Sequence, residues 1–166
     1  MILAPTSGPL GIQPHGTIAR MRVQGATVAI GDVVVTSHAH TTYTYPPTTT
    51  AEFNASPFCN VRPAEGDQAL HNGFIGVVIG LSTEGVGTVG SDVLVQFGGV
   101  CKAKVTATVA VSRGSALTVS NTAGEFGNQD AATGTVAAAV ALEALASGTA
   151  QIQVLLQGGF YAPAVV

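Results

Sequence analysis

Apolar and polar residues alternate along several short stretches of the chain, as they do in half-buried β-strands. The clearest stretch is residues 100–111, VCKAKVTATVAV. Its two predicted faces are Cys101, Ala103, Val105, Ala107, Val109 and Val111 inward, and Lys102, Lys104, Thr106 and Thr108 outward. Residues 150–157, AQIQVLLQ, alternate in the same way, with Ile152, Val154 and Leu156 inward and Gln151, Gln153 and Gln157 outward. Both stretches predict strands with one buried face.

Four further strand signals precede these two. TIARMRV (17–23) alternates, with Ala19, Met21 and Val23 on one face. GATVAIGDVVV (25–35) contains a turn at Gly31 and Asp32 between two β-branched runs. NGFIGVVIGL (72–81) is typical of a buried strand, and SDVLVQF (91–97) predicts another.

One stretch fits two predictions. AATGTVAAAVALEALASG (131–148) has the alanine content of a helix and ends at a glycine suited to a helix C-cap. Its alternate residues 136, 138, 140, 142 and 144 are nevertheless all apolar, which favours a strand. Helix propensity and strand periodicity leave both structures open at this point.

The remaining segments define the domain organisation. Residues 1–16 contain Pro5, Pro9 and Pro14, which disfavour helix and central strand, and the apolar residues Ile2, Leu3, Leu10 and Ile12. We expect an extended N-terminal arm that lies on a neighbouring subunit, with a disordered terminus as the alternative. Residues 36–73 lack strand punctuation and predict a long loop excursion with a binding role. The sequence thus predicts an all-β protein: a compact β-barrel or β-sandwich domain over 17–158, with the arm before it and a short tail over 159–166.

Composition changes this picture in one respect. The chain has 166 residues with 21 glycines and no tryptophan, and only 9% of its residues are charged, against about 25% in an ordinary soluble domain. So little charge favours a protein whose surface is covered by other subunits.

The net charge is −3, with no basic patch to predict nucleic-acid binding. No apolar run reaches the roughly 18 residues of a membrane span, and the N-terminus has no basic region typical of a signal peptide.

The histidines at positions 38 and 40 are the first candidates for chemistry, because their spacing places both imidazoles on one face of a strand. A metal site needs a third ligand, and the nearby options are only Glu52, Cys59 and the distant His71. We therefore interpret His38 and His40, together with Tyr43 and Tyr45, as interface residues of the loop excursion. No cofactor or metal is predicted.

Other reactive groups have structural interpretations. Asp32, Asp67 and Asp92 each stand beside glycine or serine at the entrance of a predicted strand, where a carboxylate accepts from turn amides. No GxSxG nucleophile motif occurs. Cys101 is expected to be a small buried apolar residue, and a disulfide with Cys59 is the less favoured alternative.

The second half of the chain resembles the bacteriophage head decoration, or capsid cement, proteins. The resemblance covers residues 25–35 and 90–158, and it is carried mainly by the segments 98–127 and 139–158. It begins with a Gly-Val pair, Gly99 and Val100, followed by a strand that contains Lys102 and Lys104. A Ser-Arg-Gly-Ser turn, Ser112 to Ser115, then leads to Leu117. The last parts are an Ala-Leu-Glu-Ala segment, Ala141 to Ala144, and a Val-Leu-Leu strand, Val154 to Leu156.

The resemblance implies a non-enzymatic virion protein. Such a protein would be made in the host bacterial cytoplasm and would sit on the outer surface of an icosahedral capsid. There it would bind the major capsid protein as a homotrimer and resist the outward force of packed DNA. It also implies that residues 139–145 form a strand, with Glu143 pointing out of the core. The expected capsid or subunit interface residues are Ile2, Leu3, Pro5, Pro9, Leu10, Ile12, Pro14, His38, His40, Tyr43 and Tyr45.

Two rival functions are kept. One is a phage fibre or carbohydrate-binding β-sandwich, for which Tyr43 and Tyr45 are the only local aromatic candidates in a chain without tryptophan. The other is a small β-barrel enzyme whose site is assembled from distant residues. Its supply of ionisable groups is thin, because Asp and Glu together number nine in the whole chain.

Overall fold

The computed structural model describes residues 16–36, 60–64, 73–82, 86–128, 137–157 and 160–161, and every helix or strand in these ranges is a β-strand. The strands are β1 Ile18–Val23, β2 Val33–Thr36, β3 Asn60–Pro63, β4 Gly73–Leu81, β5 Asp92–Gln96, β6 Gly99–Ala107, β7 Ala116–Val119, β8 Phe126–Asn128, β9 Ala139–Ala141, β10 Gly148–Leu156 and β11 Phe160–Tyr161. The predicted all-β, barrel-like fold is confirmed.

The strands form two five-stranded barrels that follow one another along the chain. In the first barrel the strand order is β4-β2-β3-β1-β5, and the additional pairing of β5 with β4 closes the ring. The second barrel closes in the order β10-β6-β8-β7-β9. Only Phe97 and Gly98 lie between the last strand of the first barrel and the first strand of the second. Strand β11 then returns to the first barrel and pairs with the beginning of β4.

The two barrels have the same topology. In each, the first strand pairs parallel with the third and antiparallel with the fifth. The second strand pairs antiparallel with both the third and the fourth, and the fourth pairs antiparallel with the fifth. The sequence predicted one barrel or sandwich and gave no sign of this repetition.

Each second strand is entered through the same four-residue turn. In the first barrel Asp32 donates its N–H to the carbonyl of Ala29 at 3.1 Å, and its carboxylate accepts the Ala29 N–H at 2.8 Å. In the second barrel Ser115 donates its N–H to the carbonyl of Ser112 at 3.0 Å, and its hydroxyl accepts the Ser112 N–H at 3.1 Å. The third residue of each turn is a glycine with positive φ, 91° and 87° respectively.

The fourth strands attach to these turns in the same way. Gly31 donates its N–H to the carbonyl of Val78 at 2.8 Å, and Gly114 donates to the carbonyl of Ala141 at 2.7 Å. Val78 of β4 and Ala141 of β9 are therefore equivalent positions, and so are their neighbours Val77 and Val140. By the same alignment Val33, the first residue of β2, corresponds to Ala116, the first residue of β7.

The first barrel encloses its own apolar core and covers the second barrel with its outer face. Val34 and Val78 point into the first barrel, with Met21, Val23, Val28, Val61, Val93 and Val95. Val33, Val35, Ile75 and Val77, on the opposite face of β2 and β4, instead belong to the core cluster of the second barrel. All four residues of β2 are consequently buried, which explains why its sequence shows no alternation.

Polar contacts fix the joint between the barrels. The Lys104 N–H of β6 donates to the Gly31 carbonyl at 2.7 Å, at a point on β6 that β8 does not reach. The Lys104 ammonium donates to Asp32 at 2.9 Å. Beside it, the Gln151 side-chain amide of β10 donates to the Ile30 carbonyl at 2.7 Å. The turn before β2 is thus held by two neighbouring strands of the second barrel.

Most strand predictions are confirmed. The alternation over 17–23 and over 150–157 is observed, with the predicted faces buried. Residues 72–81 and 91–97 contain β4 and β5. The strand predicted over 100–111 ends at Ala107, however, and Val109 was wrongly assigned to the inward face, because 70% of it is exposed in the loop that follows.

The structure describes parts of two regions whose secondary structure was uncertain from the sequence, residues 131–148 and 36–73. Residues 137–148 contain no helix: β9 covers Ala139–Ala141, and Leu145 is held by an isolated bridge to Val111. The predicted strand over 139–145 is correct for these first three residues, and Glu143 is exposed as expected. Within 36–73 the sequence predicted no strand, and this was wrong for Asn60–Pro63, which pairs with both β1 and β2.

Candidate interaction surfaces

The interface residues predicted from the sequence all lie outside the described part of the chain. They are Ile2, Leu3, Pro5, Pro9, Leu10, Ile12 and Pro14 in the arm, and His38, His40, Tyr43 and Tyr45 in the excursion. Their assignment stays a prediction. The candidate surfaces described below come from the barrels themselves.

The predicted turn carboxylates have further partners. Asp32 accepts the turn amide of Ala29 as expected, and it also pairs with Lys104 across the joint. Asp92 stands at the entrance of β5, where its carboxylate lies 2.7 Å from Arg20 and 3.6 Å from Arg22 on β1. The two ion pairs that Asp92 makes with Arg20 and Arg22 are partly exposed, so each contributes little to stability. Asp67 lies outside the described residues.

Two side chains have shifted pKa values. The hydrogen bond from Lys104 to Asp32 raises the pKa of the ammonium, with burial opposing and the charges of Asp32 and Glu125 adding to the rise. Burial raises the pKa of the Cys101 thiol to about 12. Cys101 is free and buried, as the small apolar residue that the sequence predicted, and not in a disulfide. Its thiol is neutral near pH 7, and a neutral buried thiol is a poor nucleophile.

Metal-ligating side chains do not cluster in the described ranges, where no group of three or more His, Cys, Asp or Glu residues is close enough to hold an ion. In the same ranges no helix has the length and apolar character to cross a membrane. The surfaces that stand out in the barrels are apolar.

One apolar surface crosses the outside of the second barrel. Leu155 on β10 lies directly opposite Val100 on β6 and Val140 on β9, and Val140 in turn lies opposite Ala116 on β7. The four residues form one row over four adjacent strands, which we call the second-barrel row. Leu155 and Val100 are 39% and 37% exposed, and the other two are half-buried. Strand spacing of about 4.8 Å gives the row a length of roughly 14 Å.

A second apolar surface lies on the outside of the first barrel. Ile18 on β1 and Leu94 on β5 are each 45% exposed. Leu94 lies opposite Arg20, and Ile18 is its diagonal neighbour, within side-chain reach. We call Ile18 and Leu94 the first-barrel pair. Next to Leu94 is an open pocket of about 230 Å³, lined by Arg20, Leu81, Ser82, Asp92, Val93 and Leu94.

The surroundings of Leu94 include one glycine and one ion pair. The neighbouring strand carries Gly80 at the position facing Leu94, and a Cβ there would lie 3.2 Å from the Leu94 side chain. The Leu94 side chain covers Gly80, and Arg20 is held at the rim of the pocket by Asp92. The arrangement can accept an aliphatic side chain from outside without removing a charge from its partner.

No protein-family model matches this chain, and no curated protein matches it. The functional argument therefore depends on the sequence resemblance, the fold and the surfaces.

Sequence reasoning missed both surfaces. The signal for the second-barrel row was present in AQIQVLLQ, where Leu155 is the one apolar residue at an outward position. The signal for the first-barrel pair was weaker. Ile18 and Leu94 each have a charged residue two positions away along the strand, Arg20 and Asp92 respectively. Whether such residues are exposed depends on which strands cover them, and that follows from the topology.

Proposed function

We propose that the protein is a structural component of a bacteriophage virion that binds the outside of the icosahedral head. In this role it cements neighbouring major capsid proteins against the pressure of packed DNA. The resemblance to decoration proteins supports the proposal, since it covers 25–35 and 90–158, and its segments 98–127 and 139–158 contain most of the second barrel. The resemblance therefore extends over strands of both barrels.

The observation that carries the proposal is the uncharged outer face of β10. The outward residues of β10 are Thr149, Gln151, Gln153 and Leu155, and Thr149 is hydrogen-bonded at 2.5 Å to Thr106 of β6. Burying such a face removes amides, hydroxyls and methyl groups from water, but no unpaired charge. Interfaces are depleted of charged residues at their centres for this reason.

The closed barrels also suit a protein that must resist deformation. Each of the ten barrel strands is hydrogen-bonded to a neighbour on both sides, so few strand edges are free to peel. A pull on one strand is shared with two others. This supports a mechanical role.

The proposed partners are the major capsid protein and further copies of the chain, as a homotrimer. The role requires no catalysis, cofactor, nucleic acid or membrane. The protein would be made in the host bacterial cytoplasm and act on the capsid exterior. Many weak contacts repeated over a lattice give high avidity, so each contact can be modest.

Binding to shells tests the proposal. Purified protein is mixed with expanded shells that lack it, and the bound fraction is measured by sedimentation and by light scattering. We expect saturable, stoichiometric binding that changes little between low and high salt, because few charges are involved. Unexpanded shells and an unrelated β-barrel protein are the controls. Protein that stays in the supernatant with expanded shells would contradict the proposal.

The arm has its own test within the same assay. Deleting residues 1–16 removes none of the eleven strands that the structure describes, so the truncated protein should retain its melting temperature. We expect it to bind shells poorly, because the predicted arm supplies apolar contacts to a neighbour. Binding equal to that of the full chain would show that the arm has no such role.

A further inference from the structure

We infer that the outer face of β1 and β3 in the first barrel is a carboxylate-binding site, where Arg22 and Arg62 hold an acidic side chain of a partner protein. This goes beyond the proposed function, whose binding face lies on the second barrel. It is tested without shells, so the two proposals can fail separately.

The first step is the concentration of guanidiniums on this face. Three of the six Lys and Arg residues of the chain, Arg20, Arg22 and Arg62, lie on β1 and β3. Val23 and Val61 lie opposite each other and point into the barrel, so their neighbours Arg22 and Arg62 point outward. The register places these two arginines diagonally on adjacent strands, with roughly 8 Å between their Cα atoms. Side chains of their length can reach one ligand between them.

The second step is that these cations outnumber their acceptors. Within the ranges that the structure describes, Asp92 is the only carboxylate that pairs with them. Its Oδ2 lies 2.7 Å from a guanidinium nitrogen of Arg20, whereas its Oδ1 lies 3.6 Å from Nε of Arg22, which is too far for a hydrogen bond. Asp92 therefore binds chiefly Arg20. The Arg22 side chain, 44% exposed, can take a second anion.

The third step is the environment of Arg62. Its Nε is buried and meets no hydrogen-bond acceptor among the described residues. The side chain packs over a turn glycine, since a Cβ at Gly25 would lie 3.8 Å from Nε and 3.9 Å from Cζ of Arg62. On β2, Arg62 lies opposite Val35, which belongs to the core cluster of the second barrel. Withdrawing a guanidinium nitrogen from water without an acceptor costs free energy, and a bound anion removes that cost.

The fourth step identifies the ligand by comparison with the second barrel. By the strand registers, Arg22 and the opposite Asp92 correspond to Lys104 and Gln151. The Lys104 ammonium binds the carboxylate of Asp32 at 2.9 Å, and that carboxylate belongs to a turn outside the second barrel. A cation at this position of the barrel therefore receives a carboxylate from another folded unit. The same chemistry indicates an acidic side chain as the ligand of Arg22.

The first barrel adds a second cation at this position. The residue that corresponds to Arg62 in the second barrel is Gly127, which has no side chain. Arg22 and Arg62 together offer two planar guanidiniums, and a guanidinium matches the two oxygens of a carboxylate with parallel hydrogen bonds. We therefore expect the site to prefer aspartate or glutamate to a neutral side chain.

Titration with a small peptide tests the inference. Acetyl-Gly-Asp-Gly-amide is added at constant ionic strength to isotope-labelled protein, and the Nε–H signals of the arginines are followed by nuclear magnetic resonance. We expect the Arg62 signal to shift and to saturate in the millimolar range, and the same peptide with asparagine to leave it unmoved. Arg113 is the internal reference, because its Nε already donates to the Leu142 carbonyl at 2.9 Å. An Arg62 signal that moves no more than that of Arg113 overturns the inference.

Variants of equal charge separate the site from general attraction. Arg62→Gln and Arg22→Gln should each weaken peptide binding about tenfold, because each removes charge-assisted hydrogen bonds. Arg113→Gln is the matched control and should bind the peptide as the wild type does. Equal losses in all three variants overturn the inference, since net charge alone would then explain them. Dihydrogen phosphate, which has the same charge as the peptide, is the second probe, and tighter binding of phosphate would overturn the assignment of a carboxylate.

Discussion

The ammonium of Lys104 lies 2.9 Å from Oδ1 of Asp32 and joins the two barrels. Lys104 is on the first strand of the second barrel, and Asp32 is in the turn before the second strand of the first. The other carboxylate oxygen of Asp32 accepts the Ala29 N–H at 2.8 Å. One buried side chain therefore holds both a turn and the joint.

Asp32 substitutions separate these two roles. Asp32→Ala removes both acceptors and should lower the free energy of unfolding by about 3 kcal/mol, since hydrogen bonds to charged groups contribute roughly 1.5–3 kcal/mol each. Asp32→Ser should cost less, because Ser115 already makes the equivalent turn bond with a hydroxyl. Urea unfolding measures both. Equal losses in the two variants would mean that the turn bond contributes nothing.

The Lys104 pair should give stability a defined pH dependence. Its folded-state pKa is raised above the ordinary 10.5, chiefly by the hydrogen bond to Asp32. A cation with a raised pKa stabilises the fold fully below 10.5 and loses that contribution as the pH rises through the folded value. We expect the stability difference between wild type and Lys104→Met to be constant from pH 7 to 9 and to shrink above 10.5. Titration of Cys101 affects both proteins and cancels in the difference.

The two turn glycines form a matched pair. Gly31 and Gly114 have φ of 91° and 87°, so alanine is strained at both positions, at a cost of about 1–2 kcal/mol. A Cβ at Gly31 would also lie 2.5 Å from the Gln151 amide, whereas nothing lies within 4 Å at Gly114. Gly31→Ala should therefore destabilise the protein more than Gly114→Ala.

A double substitution shows where that excess comes from. Adding Gln151→Ala to Gly31→Ala removes the obstructing amide. The double variant should therefore lose less free energy of unfolding than the two single variants lose in total. Thermal or urea unfolding of the four proteins measures the coupling. Additive losses would contradict the collision as the source of the difference.

Cys101 should react only when the protein unfolds. In a Cys59→Ser variant it is the single thiol of the chain. Its pKa of about 12 and its burial predict slow labelling by iodoacetamide at pH 8, and rapid labelling in urea. The same variant labelled in both solvents provides its own control. Fast labelling of the native protein would contradict the burial of Cys101 inside the second barrel.

The sequence predicted those strands that have one solvent-exposed face and one buried face. The alternation in β6 and β10 survives in the structure because Lys102 and Gln153 face water while Cys101 and Val154 face the core. It failed at Val109, because periodicity does not show where a strand stops pairing. It also missed β3, whose four residues end in Pro63 and are too few to show a period.

The repetition of the barrel was beyond sequence reasoning for a physical reason. The two turns use different side chains, Asp32 and Ser115, to accept the same backbone N–H. The two fourth strands differ in length, and only the turn glycine is identical in the two turns. Hydrogen-bond geometry is preserved although the residues are not, so the equivalence becomes visible only when the strands are paired. The two apolar surfaces follow from that pairing and were missed with it.

The two-residue connection between the barrels sets the distance between their binding surfaces. Gln96, the last residue of β5, donates its side-chain amide to the carbonyls of Gly98 and Val100 at 2.7 and 3.0 Å, which clamps the link on both sides. The clamped link and the ion pair of Lys104 with Asp32 hold the two barrels at one separation. A partner that binds both barrels must offer its two contacts at that one interval, and a lattice with a different interval would be able to hold only one.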